Sequence, residues 1–313
     1  MMTTQSQTIE SLDLSLEKVF SDFYVVPSFQ REYVWEEKQV EQLLQDVFGQ
    51  FSDDGQTSEY FIGSMVVCPG PNDTLELIDG QQRITTAFLF LCAVRDHLRD
   101  IDATAIDSLK WQISAMSIDD IGHDVFHHRV QLQYDDSCDI LDLIALGKTE
   151  LGHIPQTRSV RNIMNAYQMI RTFLRSEFTT DADAVRRFYA YFTRRVKLVR
   201  IKTHSVAHAL KVFETINDRG VGLDSMDLLK NLMFMNANPG EFEKLKAKWK
   251  GLVDTLYKAK EKPLRFLRYF IFASYDVDRL REEEIYGWFV SNKPDFIHFS
   301  LVVHPPNSRD IWA

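Results

Sequence analysis

Five consecutive residues, Asp79, Gly80, Gln81, Gln82 and Arg83, place a carboxylate, a glycine, two amides and a guanidinium between an apolar run and a helical pattern. A strand that turns through glycine straight into a helix presents unpaired backbone N–H groups and the positive end of the helix dipole, which together make a site for an anion. Arg83 and the two amides can add direct contacts to phosphate oxygens. A structural reading competes, because Asp79 with Gln82 three residues later has the pattern of an N-cap and capping box. A capping carboxylate would repel the anion unless a hard divalent cation bridged the two, so Asp79 is the candidate metal contact.

Two further segments carry suitable side chains. In YVVPSFQREYVW, residues 24–35, Gln30 and Arg31 stand between Phe29, Tyr33 and Trp35, and arginine beside aromatic rings can grip a phosphate or stack on a base. In VFETINDRGVGLDSMDLLK, residues 212–230, Asn217, Arg219 and Gly220 lie in a loop ahead of another helix. Taken singly, the first also reads as an aromatic core turn and the second as an ordinary Asx-Gly loop.

The elements that must position these residues follow from hydrophobic periodicity. A short helix is expected over 13–20, an extended stretch over 23–27, and a helix over 34–51 whose Val40, Leu43, Leu44, Val47, Phe48 and Phe51 recur at helical spacing. Runs at 60–68 and 74–79 flank the turn residues 69–73 and read as a hairpin. The helix over 81–98 is apolar nearly all round, hence buried. Residues 101–190 read as mainly helical. VKLVRIKT at 196–203 alternates apolar and basic residues as a strand does, and helices follow at 205–214 and from 224 or 225 to about 236. Strand 196–203 is expected to return to the sheet begun before residue 80 and so to bring Arg83 and Asn217 into one cleft.

PSFQREYVW (27–35), FIGS (61–64), DGQQRITT (79–86) and FETINDRGVGLDSMDLLK (213–230) occur in that order, and through them the chain resembles the N-terminal domain of the GmrSD family of type IV restriction enzymes over roughly residues 10–235. The resemblance implies a ParB/sulfiredoxin-like α+β core that binds and hydrolyses a nucleoside triphosphate with Mg²⁺. It also implies a role in defence against phage or foreign DNA, with relatives that respond to modified DNA. On that reading residues 1–100 with 194–236 form the nucleotide-binding core, 101–193 a helical insertion and 237–313 a helical C-terminal region. Asp79, Gln81, Gln82 and Arg83 form the expected catalytic set, with Asp79 on Mg²⁺ and either glutamine orienting the attacking water. Gln30, Arg31, Gly80, Gln82, Arg83, Asn217, Arg219 and Gly220 form the expected nucleotide contacts. Full-length relatives carry a C-terminal HNH-type nuclease domain, for which His298, His304 and Asn307 are too sparse. The expected partners are therefore DNA, modified DNA above all, a nuclease domain or subunit acting in trans, and a second copy of the chain. The alternative function is a non-catalytic reader of modified DNA that uses the same pocket.

Composition sets the outer bounds. The chain has 313 residues, 45% of them apolar, and a formal charge of −9, which excludes disorder of the whole chain. Residues 1–60 carry twelve acids and three bases, whereas 154–202 carry eleven bases and three acids. The basic span reads either as a phosphate-facing surface, with Arg194, Arg195, Lys197 and Arg200 as candidate DNA contacts, or as the intramolecular partner of the acidic end. Three widely spaced cysteines, Cys68, Cys92 and Cys138, argue against a disulfide framework. No apolar run approaches the length of a membrane span and the N-terminus has no secretory pattern, so a cytoplasmic protein without membrane contact is expected. His123, His127 and His128 include one i, i+4 pair, which on a helix could bind a metal.

Overall fold

The computed structural model describes residues 9–53, 57–118, 121–134, 139–148, 157–217, 225–236 and 242–292. The chain forms two compact units, Met1–Ser205 and Val206–Ala313. The first is built on a mixed sheet of six strands in the order β1-β8-β3-β4-β2-β7. These strands are β1 (Glu10–Ser15), β2 (Phe23–Val26), β3 (Tyr60–Pro69), β4 (Thr74–Asp79), β7 (Val130–Leu132) and β8 (Val196–Lys202). Helices α1 (Leu16–Val19), α2 (Glu37–Asp53), α3 (Gln81–Asp100), α4 (Asp107–Ile113), α5 (Ile140–Ala145), α6 (Arg158–Phe178) and α7 (Ala182–Arg195) complete the unit, with a separate two-stranded sheet of β5 (Ser114–Ile118) and β6 (Asp124–His128). The fold class is α+β, as the family resemblance implies.

The hairpin expected around residues 69–73 is present, with β3 and β4 antiparallel. Strand β8 returns to this sheet as expected, lying parallel to β3 and antiparallel to β1. It thus joins residues 10–15 and 60–67 to a strand more than 120 residues downstream. Asp13–Ser15 belong to a strand rather than to the expected helix, which spans only Leu16–Val19. Leu12, Leu14 and Leu16 satisfy a period of two as well as a helical one, and the antiparallel partner Arg200 opposite Leu12 decides between them.

The middle of the chain is less helical than its periodicity suggests. It contributes β5, β6 and β7, and β7 enters the main sheet beside β2, pairing Tyr24 with Val130 and Val26 with Leu132. A three-residue strand leaves almost no periodic signal, and only its neighbour defines it. His127 and His128 lie on β6, so the helical i, i+4 pairing of His123 with His127 does not form.

Helix α3 is the centre of the core. Sixteen of its twenty residues are buried, among them Phe88, Phe90 and Leu91. Phe90 stacks on Phe192 of α7 with ring centres 3.8 Å apart, and edge contacts link Phe48 and Phe51 of α2 to Phe188 of α7. One charge sits within this apolar mass. Asp96, 1% exposed, meets Arg95 at 2.9 Å and Arg99 at 3.0 Å and accepts the Tyr167 hydroxyl of α6. Arg95 in turn donates to the carbonyls of Ile144 and Ala145 at the end of α5.

The second unit is helical: α8 (Val206–Asn217), α9 (Ser225–Asn236), α10 (Phe242–Lys258), α11 (Pro263–Ser274) and α12 (Ile285–Asn292). Helix α9 packs against the other four, and Leu229, Met233 and Phe234 are buried on it.

Two glycines should respond oppositely to the same substitution. Gly80 has φ +88° and a Cβ there would stand 2.9 Å from Met65 Cβ, whereas Gly49 of α2 has nothing within 4 Å of that position. Gly80→Ala is expected to lower unfolding stability by about 1–3 kcal/mol, and Gly49→Ala to raise it by about 0.5–1 kcal/mol, read from urea midpoints.

Candidate functional site

Strand β4 ends at Asp79 and α3 begins at Gln81, which leaves Gly80 alone to turn the chain. Its left-handed φ and its packing against Met65 and the Ser64 carbonyl exclude any side chain there. Gly80, rather than Asp79, is therefore the N-cap, and no side chain caps α3. The capping-box pattern fails because an Asp at N-cap must itself precede the first helical residue in extended conformation, and here glycine intervenes. The first turn of a twenty-residue helix is left without a side-chain cap at the end of a strand.

Arg83 folds back from that turn. Its Nη2 donates to the Ser64 carbonyl at 2.5 Å and lies 3.7 Å from Asp79 Oδ2. The guanidinium rests over Gly63, where a Cβ would come within 3.5 Å of Arg83 Cζ. Gly63 has φ +105° and sits where the pairing of β3 with β8 shifts between Phe61 and Ser64. The glycine of FIGS thus has a task that sequence reasoning missed: it supplies the positive φ at the register shift of β3, beside the Arg83 guanidinium. The motif's order along the chain was the available signal, but its function needed the contact.

The adjacent glutamines have different employment. Gln82 Oε1 accepts from the backbone N–H of Val34 at 2.8 Å and of Trp35 at 3.2 Å, while its Nε2 donates to the Glu32 carbonyl at 3.0 Å. These bonds tie the 32–35 segment to α3 and delay the start of α2 to Glu37, three residues later than periodicity suggests. Gln81 Nε2 donates to the Arg31 carbonyl at 2.9 Å, which fixes its orientation, and its Oε1 is buried without a partner. Gln30 Nε2, on the same loop, is also buried without one. Tyr33 adds a 2.8 Å hydroxyl contact to Thr86.

Burial raises the Asp79 carboxyl above its ordinary 3.8, against the opposing pull of Arg83, the Gly80 N–H and Arg31. The structure therefore gathers Asp79, Gly80, Gln81, Gln82, Arg83 and the Gln30–Arg31 loop at one turn. Asn217 ends α8 in the second unit, and its side chain, with Arg219 and Gly220, lies outside the described residues.

The basic span is paired internally. Arg194 lies 3.8 Å from Glu17, while Arg195 and Lys197 lie 4.0 and 3.5 Å from Glu59. Arg200 binds Asp22 and reaches the Tyr24 hydroxyl at 3.3 Å. Each candidate DNA contact thus faces a carboxylate of the acidic N-terminal stretch, the second of the two readings of its charge. Burial pushes the thiols of Cys68 and Cys92 up to about 12, which keeps them protonated and inert. Among the described residues no group of three or more His, Cys, Asp or Glu could hold a metal, and no helix is long and apolar enough to cross a membrane.

The fold and the turn define an α+β protein with a strand-to-helix junction at Gly80, where Asp79, Arg83 and Arg31 lie together. The chain matches the GmrSD restriction endonuclease N-terminal domain over residues 12–234, and it belongs to that family. Membership assigns it a role in a restriction system. No curated protein matches it significantly.

Two substitutions probe the turn. Because the folded pKa of Asp79 exceeds 3.8, its charged form costs stability above the folded value and costs nothing below 3.8. Asp79→Asn should therefore unfold at higher temperature than the wild type at neutral pH, with the gain shrinking as pH falls towards 3.8. Gln82→Ala strands the Val34 and Trp35 N–H groups and should lower the urea-derived stability by about 1–3 kcal/mol.

Proposed function

We propose that the Asp79–Arg83 turn binds a nucleoside triphosphate with Mg²⁺ and hydrolyses it. In this reading, hydrolysis is the switch of a restriction system whose DNA target includes modified DNA and whose nuclease resides on another domain or subunit. The observation that carries it is the uncapped start of α3 at Gly80, flanked by Arg83 and Arg31, with Gln81 Oε1 buried and unpartnered beside it.

Anionic phosphate oxygens match the helix N-terminus, and Arg83, already held over Gly63, presents a planar fork to them. Asp79 is a hard oxygen donor of the kind Mg²⁺ takes singly when phosphate oxygens and water complete its shell, so the donor set fits the ion. When bound, Mg²⁺ neutralises charge on the phosphates, and it would also offset the desolvation that raises the Asp79 carboxyl. Gln81 is the residue suited to orient water: its Nε2 is anchored on Arg31, and the free Oε1 accepts a proton-side contact from the nucleophile. Gln82, its amide already engaged by three backbone groups, positions the loop that carries Gln30 and Arg31. The terminal phosphoanhydride bond breaks as the water oxygen bonds to phosphorus, which releases inorganic phosphate and the diphosphate while the proton lost by the water passes to solvent.

Phosphate release should depend on Mg²⁺ and stop in EDTA. Gln81→Ala is expected to reduce kcat at least about tenfold with little change in KM, since an orienting contact acts on the reacting water. Arg83→Lys keeps the charge and loses the fork, and should weaken nucleotide binding. Asp79→Asn should abolish turnover in a folded protein. Wild-type turnover in Gln81→Ala and Asp79→Asn would refute the assignment, and nucleotide binding without any phosphate release would favour a non-catalytic reader.

A further inference from the structure

The unit Val206–Ala313 contains a concentration of charge that lies beyond the family match, which stops at residue 234. Residues 242–268 hold nine Lys and Arg against Glu243, Asp254 and Glu261, a net of +6 in a chain whose total is −9. Helix α10 buries Leu245, Trp249, Leu252 and Leu256 along one side. That spacing leaves Lys244, Thr255 and Lys258 exposed on the other.

The basic face continues into α11. Lys260 and Lys262 are exposed in the connection, and Lys262 is the N-cap of α11, with Pro263 in its first turn and no side-chain cap. Arg265 follows on the exposed side, and Tyr269 one turn later is 56% exposed, with the Arg268 guanidinium 5.7 Å from its ring centre. Glu261 offsets part of this charge by pairing with Arg265 at 3.3 Å. Among the described residues, Lys244, Lys258, Lys260 and Lys262 form no ion pair. The contrast with residues 194–200 is direct, since each of the basic side chains named there faces a carboxylate of its own unit. Gathered like charges repel one another and concentrate a polyanion at the surface that carries them.

We infer that the α10–α11 corner docks the sugar-phosphate backbone of duplex DNA. A duplex presents one negative charge about every 1.7 Å along its axis, which lets several lysines on one helix face and its following turn engage together. Exposed tyrosine hydroxyls also donate to phosphate oxygens. Such contacts fix position without reading sequence, so this surface would hold DNA while other groups recognise it. The choice of DNA among polyanions rests on the chain's membership of a restriction family, and not on nucleotide hydrolysis.

The test measures binding of the full chain to a labelled, unmodified duplex by fluorescence anisotropy over rising salt. The wild type should lose affinity steeply as salt rises. The triple variant Lys258→Gln, Lys260→Gln, Lys262→Gln should bind at least about tenfold more weakly and reduce the log–log salt slope by roughly three, one per lysine. Arg194→Gln with Arg195→Gln should change neither quantity. Helical circular dichroism equal to the wild type shows that the triple variant is folded. No binding by the wild type at low salt, an unchanged affinity in the triple variant, or tighter binding to phosphatidylglycerol vesicles than to the duplex overturns the inference. If the triple variant loses DNA while the wild type hydrolyses no nucleotide, only the hydrolytic reading fails.

Discussion

Burying a long helix on every side is the constraint from which the rest of the first unit follows. Between Gln81 and Leu98 helix α3 is buried nearly all round, so most of its polar groups rely on partners in the protein. At its N-terminal end Gln81 and Gln82 reach the backbone of residues 31–35, and farther along Asp96 collects two arginines and a tyrosine. These polar anchors hold the flanking loop, α5 and α6 in place around an apolar helix that alone would accept many orientations. The candidate site is a consequence of the same burial, because the helix start is pressed against β3 by a residue that can carry no side chain.

The two glutamines of the turn show how little separates structure from chemistry. Both are buried to a similar degree, at 8% and 7% exposure, and both donate to a carbonyl of the same loop. Gln82 also accepts from two backbone N–H groups, whereas Gln81 keeps its oxygen unsatisfied. A buried acceptor without a partner costs stability, and so does the raised carboxyl of Asp79 beside it. Both costs fall at one turn, which supports the proposed reading of that turn as a ligand site.

Charge follows a division of labour across the chain. The acidic N-terminal stretch and the basic residues around β8 neutralise each other within one unit, through Glu17, Asp22 and Glu59. Pairs such as Arg194 with Glu17 are exposed and contribute little stability individually. Arg200, 13% exposed and bound by Asp22 on a strand beside β3, sits deep enough to help hold β8 in register. Lys244 and Lys258 of α10, and Lys260 and Lys262 in its connection to α11, lack such partners among the described residues, so unpaired positive charge gathers there in a chain of negative total charge.

Local pattern was sufficient wherever an element is long and its signal unambiguous. The β3–β4 hairpin, the buried helix after residue 80 and the alternating strand β8 were all legible from spacing alone, because period and composition record which face is buried. So was the turn itself, since glycine between a strand and a helix leaves few conformations open. What sequence left undecided depended on groups far away along the chain. Residues 13–15 became a strand because β8 lies beside them, and the three-residue β7 exists because β2 is its neighbour. Gly80 rather than Asp79 is the N-cap, with Met65 in the way of any side chain there, and the Gln82 amide oxygen is engaged by the Val34 and Trp35 N–H groups. A basic run has the same appearance in sequence whether it faces a phosphate or a carboxylate. Only the tertiary structure shows that Glu17, Asp22 and Glu59 stand beside Arg194, Arg195, Lys197 and Arg200.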